Sequence, residues 1–271
     1  MHIKERPGSE LIWKSYDKTG KIWFEANFDL MGFDVTKTTD EKVAQNLKNL
    51  LRAVCRQDGD FLSKWKKYIV ETYLDFDLDW GLGASSTLVA CLAEWADVNP
   101  YYLLFDSFGG SGYDVACADA EGPIMYQLGE ESLSVESVDF NPSFKDHLYL
   151  VYLGRKQNSR EAIKYYSKKK KNLNGAIPEL TDLTAQVITS KTLADFEKLM
   201  QSHEQILSSI LDIKPVKELY FSNYWGTIKS LGAWGGDFVL VTSDRDAEET
   251  KKYFVEKGYE TFFSFDEIVQ L

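Results

Sequence analysis

A run of glycine, alanine and serine, Gly81-Leu82-Gly83-Ala84-Ser85-Ser86, leads straight into an apolar segment, Thr87–Val98, that stops at Asn99-Pro100. No other feature constrains the chain as much. Residues without a Cβ at the entry to a helix let backbone amides approach a ligand closely. The first helical turn adds unsatisfied N–H groups and partial positive charge. That combination suits a phosphate group. Ser85 and Ser86 add hydroxyls able to serve phosphate oxygens or a magnesium ion. No Lys-Ser/Thr pair follows the glycines, so this is not a Walker A loop. Taken alone, the segment reads equally well as a plain strand-to-helix turn with Ser85 as N-cap.

Two further glycine-rich loops follow. In Phe108–Asp114, Gly109, Gly110, Ser111 and Gly112 precede the carboxylate of Asp114. Such a backbone can pass close to a ligand while presenting one acid, although a solvated turn aspartate is the simpler reading in isolation. The third loop, Ser230–Asp237, lies between strand-like Thr227–Lys229 and Phe238–Thr242, and alone it reads as a hairpin with a bulge.

The elements around these loops follow from periodicity. Leu11–Tyr16 and Phe24–Leu30 alternate with period two across the turn Asp17–Gly20, which predicts a β-hairpin. Thr39-Asp40-Glu41 caps a helix with a stripe of Val43, Leu47, Leu50, Leu51 and Val54. Tyr68–Leu78 has strand composition. A second domain is expected to begin with the buried strand Leu148–Leu153, giving domains 1–147 and 148–271. It continues with helices at Ser159–Lys171, Pro178–Ser190, Leu193–Leu211 and from Pro215. Two strands, a helix at Ala247–Lys257 and a strand near Thr261–Ser264 close an α+β sandwich.

The chain has 271 residues, 44% hydrophobic, enough for one large domain or two ordinary ones. Its formal charge of −11 argues against nucleic acid or an anionic membrane as partner. It does not exclude a small anionic substrate, which local amides can hold. Cys55, Cys91 and Cys117 lack CxxC spacing and fit reduced thiols, and His2, His147 and His203 are too scattered for zinc. No apolar run approaches the roughly 20 residues of a membrane span. MHIKERPGSE has no signal-peptide core, so a cytoplasmic location is expected. The Lys168–Lys171 run reads chiefly as a solvated helix end, and His203 as a boundary or core histidine. Trp234 either lines a ligand or covers its own hairpin.

In order and spacing, the three loops resemble the GHMP kinase superfamily, which includes galactokinase, homoserine kinase, mevalonate kinase and phosphomevalonate kinase. That family carries a phosphate loop PxxxGLGSSA, an SGxD segment and a late GAGxGG loop. The matching stretches here are DWGLGASS, SGYD and LGAWGGD. GRKQNSREAI from Gly154 is similar to the GxKxSTREAV stretch of mevalonate-type kinases, and GYDVACA resembles the mevalonate-kinase-like GYDIA subgroup. The usual loop proline is missing, with Asp77, Leu78 and Asp79 in its region. The family's upstream magnesium glutamate has no clear match, Asp106 being near but of uncertain register. The opening residues resemble the strands that follow the family's GKLLLTGEYxVLxG unit. On that comparison, a strand-and-loop unit of about 30–40 residues is expected to be absent, and activity to be impaired.

The resemblance implies a two-lobed α+β fold, with an N-terminal α/β lobe, a ferredoxin-like C-terminal lobe and the site in the cleft. It implies ATP and Mg²⁺ as cofactors and a small-molecule alcohol, a mevalonate-like hydroxy acid, as substrate; a homodimer is a further expectation. By the same resemblance, Gly81, Leu82, Gly83, Ala84, Ser85 and Ser86 bind the ATP phosphates, with Gly232, Ala233, Gly235 and Gly236 from the late loop. Ser86 approaches the metal, Ser111 and Gly112 lie on the substrate side, and Asp114 is catalytic. A nucleotide- or metabolite-binding protein of the same fold without turnover is the alternative.

Overall fold

The computed structural model describes residues 1–129, 132–155, 175–232, 234 and 237–270. The helix expected at Ser159–Lys171, most of the GRKQNSREAI stretch, and Ala233, Gly235 and Gly236 lie outside the described residues. The chain forms two compact units. Met1–Leu78, Leu82–Ala120 and Leu128–Leu133 make the first; Asp79–Gly81, Glu121–Gln127 and Ser134–Leu271 make the second.

The first unit is built on a mixed five-stranded sheet of order β1-β5-β2-β3-β4. Its strands are β1 (His2–Arg6), β2 (Glu10–Tyr16), β3 (Ile22–Asp29), β4 (Val35–Thr38) and β5 (Lys67–Tyr73). The expected hairpin is β2–β3. The Asp17 carboxylate tightens its turn by accepting from the amides of Thr19 at 2.9 Å and Lys21 at 3.0 Å. Alternation places Leu11, Trp13, Phe24, Ala26 and Phe28 on one buried face. Helix α1 (Glu41–Gln57) starts where Asp40 accepts from the amides of Lys42 and Val43, at 2.9 and 3.0 Å. Its Leu47, Leu50, Leu51 and Val54 share a core with the sheet and with α2 (Ala84–Ala96) and α3 (Pro100–Ser107).

Asn99-Pro100 ends one helix, as expected, and also begins the next. The Asn99 side chain accepts from the amides of Tyr101 and Tyr102, at 2.9 and 3.2 Å. Pro100 occupies the first helical position, where a missing N–H costs nothing. Strand β5 ends at Tyr73, short of the expected Leu78, because a 3-10 turn at Leu78–Trp80 takes over the approach to the glycine loop. Between the larger sheets in sequence, β6 (Ile124–Leu128) and β7 (Leu133–Ser137) pair as a two-stranded ladder.

In the second unit, β8 (Leu148–Tyr152), β9 (Ile228–Ser230), β10 (Phe238–Thr242) and β11 (Phe262–Ser264) form an antiparallel sheet of order β11-β8-β10-β9. In chain order that is 4-1-3-2, the ferredoxin-like arrangement. The helices are α5 (Ala176–Thr189), α6 (Leu193–Leu211), α7 (Val216–Tyr220), α8 (Ala247–Val255) and α9 (Phe265–Ile268). Strand β8 is continuously apolar because both its faces are covered. Tyr149 and Val151 pack with Phe221, Tyr224 and Phe254, while Leu148 and Leu150 pack with Phe196, Met200 and Phe265. Among the described residues, no helix is long and apolar enough to cross a membrane.

Candidate active site

The first glycine loop enters α2 through Gly83, which is left-handed (φ 78°, ψ 26°) and serves as N-cap without a side chain. The helix therefore begins at Ala84, three residues before the expected Thr87, and Ser85 is not its cap. Ala84, Ser85 and Ser86 form the first turn. The Thr87 amide donates to the Gly83 carbonyl at 2.9 Å, so the amides of Ala84, Ser85 and Ser86 precede the helix's first internal bond. No side chain caps that turn. Leu82 and Ser85 are exposed, and Ser86 is half-buried.

Gly81 has a different role. Its φ is +70°, and a Cβ there would lie 2.5 Å from Cγ of Asp237 and 2.7 Å from both carboxylate oxygens. Within the second unit, the residue that opens the first loop thus lies directly against the residue that closes the third. Asp237 is buried, and its carbonyl accepts from the Leu153 amide at 2.8 Å. The stretch before Gly81 is fixed as well. Tyr152 donates its hydroxyl to the Asp79 carbonyl at 2.8 Å, and the Trp80 ring meets Phe263 edge-on at 5.2 Å. Asp77, in the region of the family's proline, pairs with Lys18 at 2.8 Å.

In the second loop, Gly109, Gly110 and Gly112 all have positive φ. Gly112 is the N-cap of α4 (Tyr113–Ala118), which places Asp114 in a first helical turn instead of a solvated loop. This helix was not legible, because three glycines and a six-residue length leave no periodic signal. Two influences act on the Asp114 carboxyl. Asp114 is exposed on the helix surface, yet the protein around its carboxyl group raises its pKa above the usual carboxylate value; a side-chain hydrogen bond with Tyr113 acts against this. One turn on, the Cys117 thiol, exposed at the surface, is pushed up by partial loss of hydration and then by the Asp114 charge. Helix α4 packs against α2, and Val89, Leu92 and Val115 share one core. Ser111 is half-buried and Gly112 buried.

Asp106, near the family's magnesium glutamate, accepts from Arg56 Nε at 3.1 Å. Among the described residues, no three His, Cys, Asp or Glu side chains are grouped to hold a metal. Magnesium nevertheless needs only one or two protein ligands when phosphates and water supply the rest. The half-buried Ser86 hydroxyl beside the uncapped turn is compatible with that donor set.

In the third loop, Gly232 is left-handed (φ 59°), and a Cβ on it would lie 3.8 Å from Asp237 Oδ2. Trp234 is buried, and its indole N–H donates to Glu204 Oε1 at 3.0 Å. Glu204 went unnoticed in the sequence, although a signal existed: it extends the buried i, i+4 row of Phe196 and Met200, where an apolar residue belongs. His203, beside it, is half-buried, as a boundary residue should be, with Nδ1 buried and without a hydrogen-bond partner.

No protein-family model matches the sequence, and no curated protein sequence does. Solved structures do match. The Methanococcus jannaschii mevalonate kinase superimposes with a TM-score of 0.65 at 15% identity, over 97% of this chain and 86% of that one. The Streptococcus pneumoniae phosphomevalonate kinase in complex with phosphomevalonate and AMPPNP gives 0.64 at 15% identity, over 96% and 88%. A homoserine kinase from Cytophaga hutchinsonii gives 0.53 at 13% identity, over 94% and 80%. With its mixed sheet, its 4-1-3-2 antiparallel sheet and this coverage, the chain has the α+β fold of the GHMP kinases.

Proposed function

We propose that this protein is an ATP-dependent kinase that transfers the γ-phosphoryl group to an alcohol of a mevalonate-like hydroxy acid. The observation that carries this reading is the packing of two helices in the first unit, each entered through a left-handed glycine. An uncapped turn entered through left-handed Gly83 packs, through its helix, on the helix whose first turn holds Asp114. In this reading the amides of Ala84, Ser85 and Ser86 donate to phosphate oxygens, with Gly81 and Leu82 shaping the approach. Gly232 brings backbone of the third loop near Asp237, against which Gly81 also lies. Magnesium, held by the phosphates and Ser86, would supply charge neutralisation.

Ser111 and Gly112 leave room for the acceptor, and Asp114 accepts the hydroxyl proton. The freed oxygen bonds to the γ-phosphorus as the bond to the bridging β,γ-oxygen breaks, releasing ADP. A carboxylate of raised pKa is a better base for this than an ordinary one.

The test is ADP release with mevalonate, phosphomevalonate or homoserine as acceptor, together with calorimetric ATP binding. Asp114→Asn should lower turnover on the order of 10²–10⁴-fold while leaving ATP affinity intact. An equally active Asp114→Asn enzyme refutes the assignment. ATP binding without turnover by the unmodified chain, with every acceptor, favours the non-catalytic reading.

A further inference from the structure

Glu204 lies in α6 at 4% exposure, where an unpaired carboxylate would be costly. Three donors satisfy it: Lys229 Nζ at 2.9 Å, Ser230 Oγ at 3.1 Å and Trp234 Nε1 at 3.0 Å. All three come from one stretch of chain, the end of β9 and the third glycine loop that follows. Lys229 is itself nearly buried, with a side chain only 12% accessible. Trp234 adopts φ +62°, a left-handed conformation that a bulky aromatic residue holds only when its surroundings impose it.

A glycine-rich loop has few side chains by which to be held, and among its described residues this one has two anchors. At its far end the buried Asp237 lies against Gly81 and Gly232. Within it, the indole of Trp234 is tied to the buried carboxylate of α6. Hydrophobic burial alone would leave the ring free to turn, whereas a charge-assisted bond to its one N–H fixes both position and orientation. We infer that Glu204 is a positioning residue: it fixes the place of Trp234 in the third loop, for the nucleotide. The inference rests on the kinase reading for its ligand, though not for its loop geometry.

Two variants test it. Trp234→Phe keeps an aromatic ring and removes the donor together with the pyrrole part of the indole; Glu204→Gln keeps the shape and removes the charge. Each should raise the KM for ATP about tenfold with kcat within a few-fold, and the double variant should be no worse than the more affected single. Without nucleotide, amide hydrogen exchange at Gly232, Trp234 and Asp237 should quicken about tenfold in both variants, while exchange in β8 stays unchanged. That second readout separates the two ideas. If the unmodified protein binds no ATP, the kinase reading fails and the exchange result still decides the role of Glu204. Unchanged loop exchange in folded Trp234→Phe overturns the inference, as do fully additive effects on KM. Should Glu204→Gln fail to fold, Trp234→Phe alone decides by the same exchange criterion.

Discussion

Replacing Gly81 and Gly83 separately by alanine distinguishes what each glycine does. Both have left-handed backbones, φ +70° and +78°, so either alanine carries a conformational penalty of about 1–2 kcal/mol. Their surroundings differ. A Cβ on Gly83 meets nothing within 4 Å, whereas one on Gly81 lies 2.5 Å from Cγ of the buried Asp237. Overpacking of that kind adds about 1–3 kcal/mol. Gly81→Ala should therefore destabilise by about 1–3 kcal/mol more than Gly83→Ala. With an m-value of about 2 kcal/mol per molar urea, their unfolding midpoints should separate by about 0.5–1.5 M.

A double-mutant cycle locates the cause. In an Asp237→Ala background the penalty of Gly81→Ala should fall to that of Gly83→Ala, since the obstructing carboxylate is gone. Equal penalties for the two alanines would refute the close approach of Gly81 to Asp237. So would a Gly81→Ala penalty unaltered by Asp237→Ala.

Gly83→Val should weaken ATP binding by more than tenfold, about 1.4 kcal/mol, because a β-branched residue at φ +78° moves the turn that carries the amides; calorimetry on the folded variant checks this. For Asp114, a folded pKa raised above the unfolded one favours the protonated native state, so its contribution is present at low pH and lost as pH rises through the folded pKa. Asp114→Asn should accordingly melt higher than the unmodified chain at neutral pH, with the gap closing below the carboxylate range. The imidazole of His203 is lowered from 6.5 to about 4, first by burial and then by the charge of Lys229. Stability that depends on its neutral form is complete above 6.5 and is lost as pH falls through about 4. His203→Leu should flatten that acid limb in denaturation curves.

Sequence revealed those elements whose signals are local. Helix α6 was readable end to end, because Thr192 caps it by accepting from the Asp195 amide at 3.1 Å and an apolar row runs its length. Strand β8 was readable because both faces are apolar. Strand β1, HIKER, was not: four of its five residues are exposed, and only pairing with β5 makes it a strand. The three glycine loops were visible as composition, but their consequences depend on distant partners. That Gly81 must accommodate Asp237, or that Trp234 needs Glu204, is set by tertiary contacts separated by many residues. Asp114 illustrates the same limit. Its residue type and flanking glycines marked it, whereas its place in a helical turn and its raised pKa depend on how the chain packs around it.

Net charge sharpens the physical problem that such a site must solve. A chain at −11 carries a field that opposes any polyphosphate. At physiological ionic strength that field decays over about 8 Å, so carboxylates farther off contribute little at the point of contact. What remains is the immediate shell. There, α2 offers backbone amides whose partial charges act within the first turn, and no carboxylate caps them. An aspartate as N-cap would stabilise α2, as Asp40 does α1, but it would consume the donors and place a negative charge where the proposed function puts phosphate. Glycine at this position gives up that stabilisation and leaves the donors free. The two helix starts in one unit thus differ, one capped by a carboxylate and one bare, and the proposed function gives the bare one its use. This difference in capping, more than composition, makes Gly83–Ser86 the better place to look for an anion.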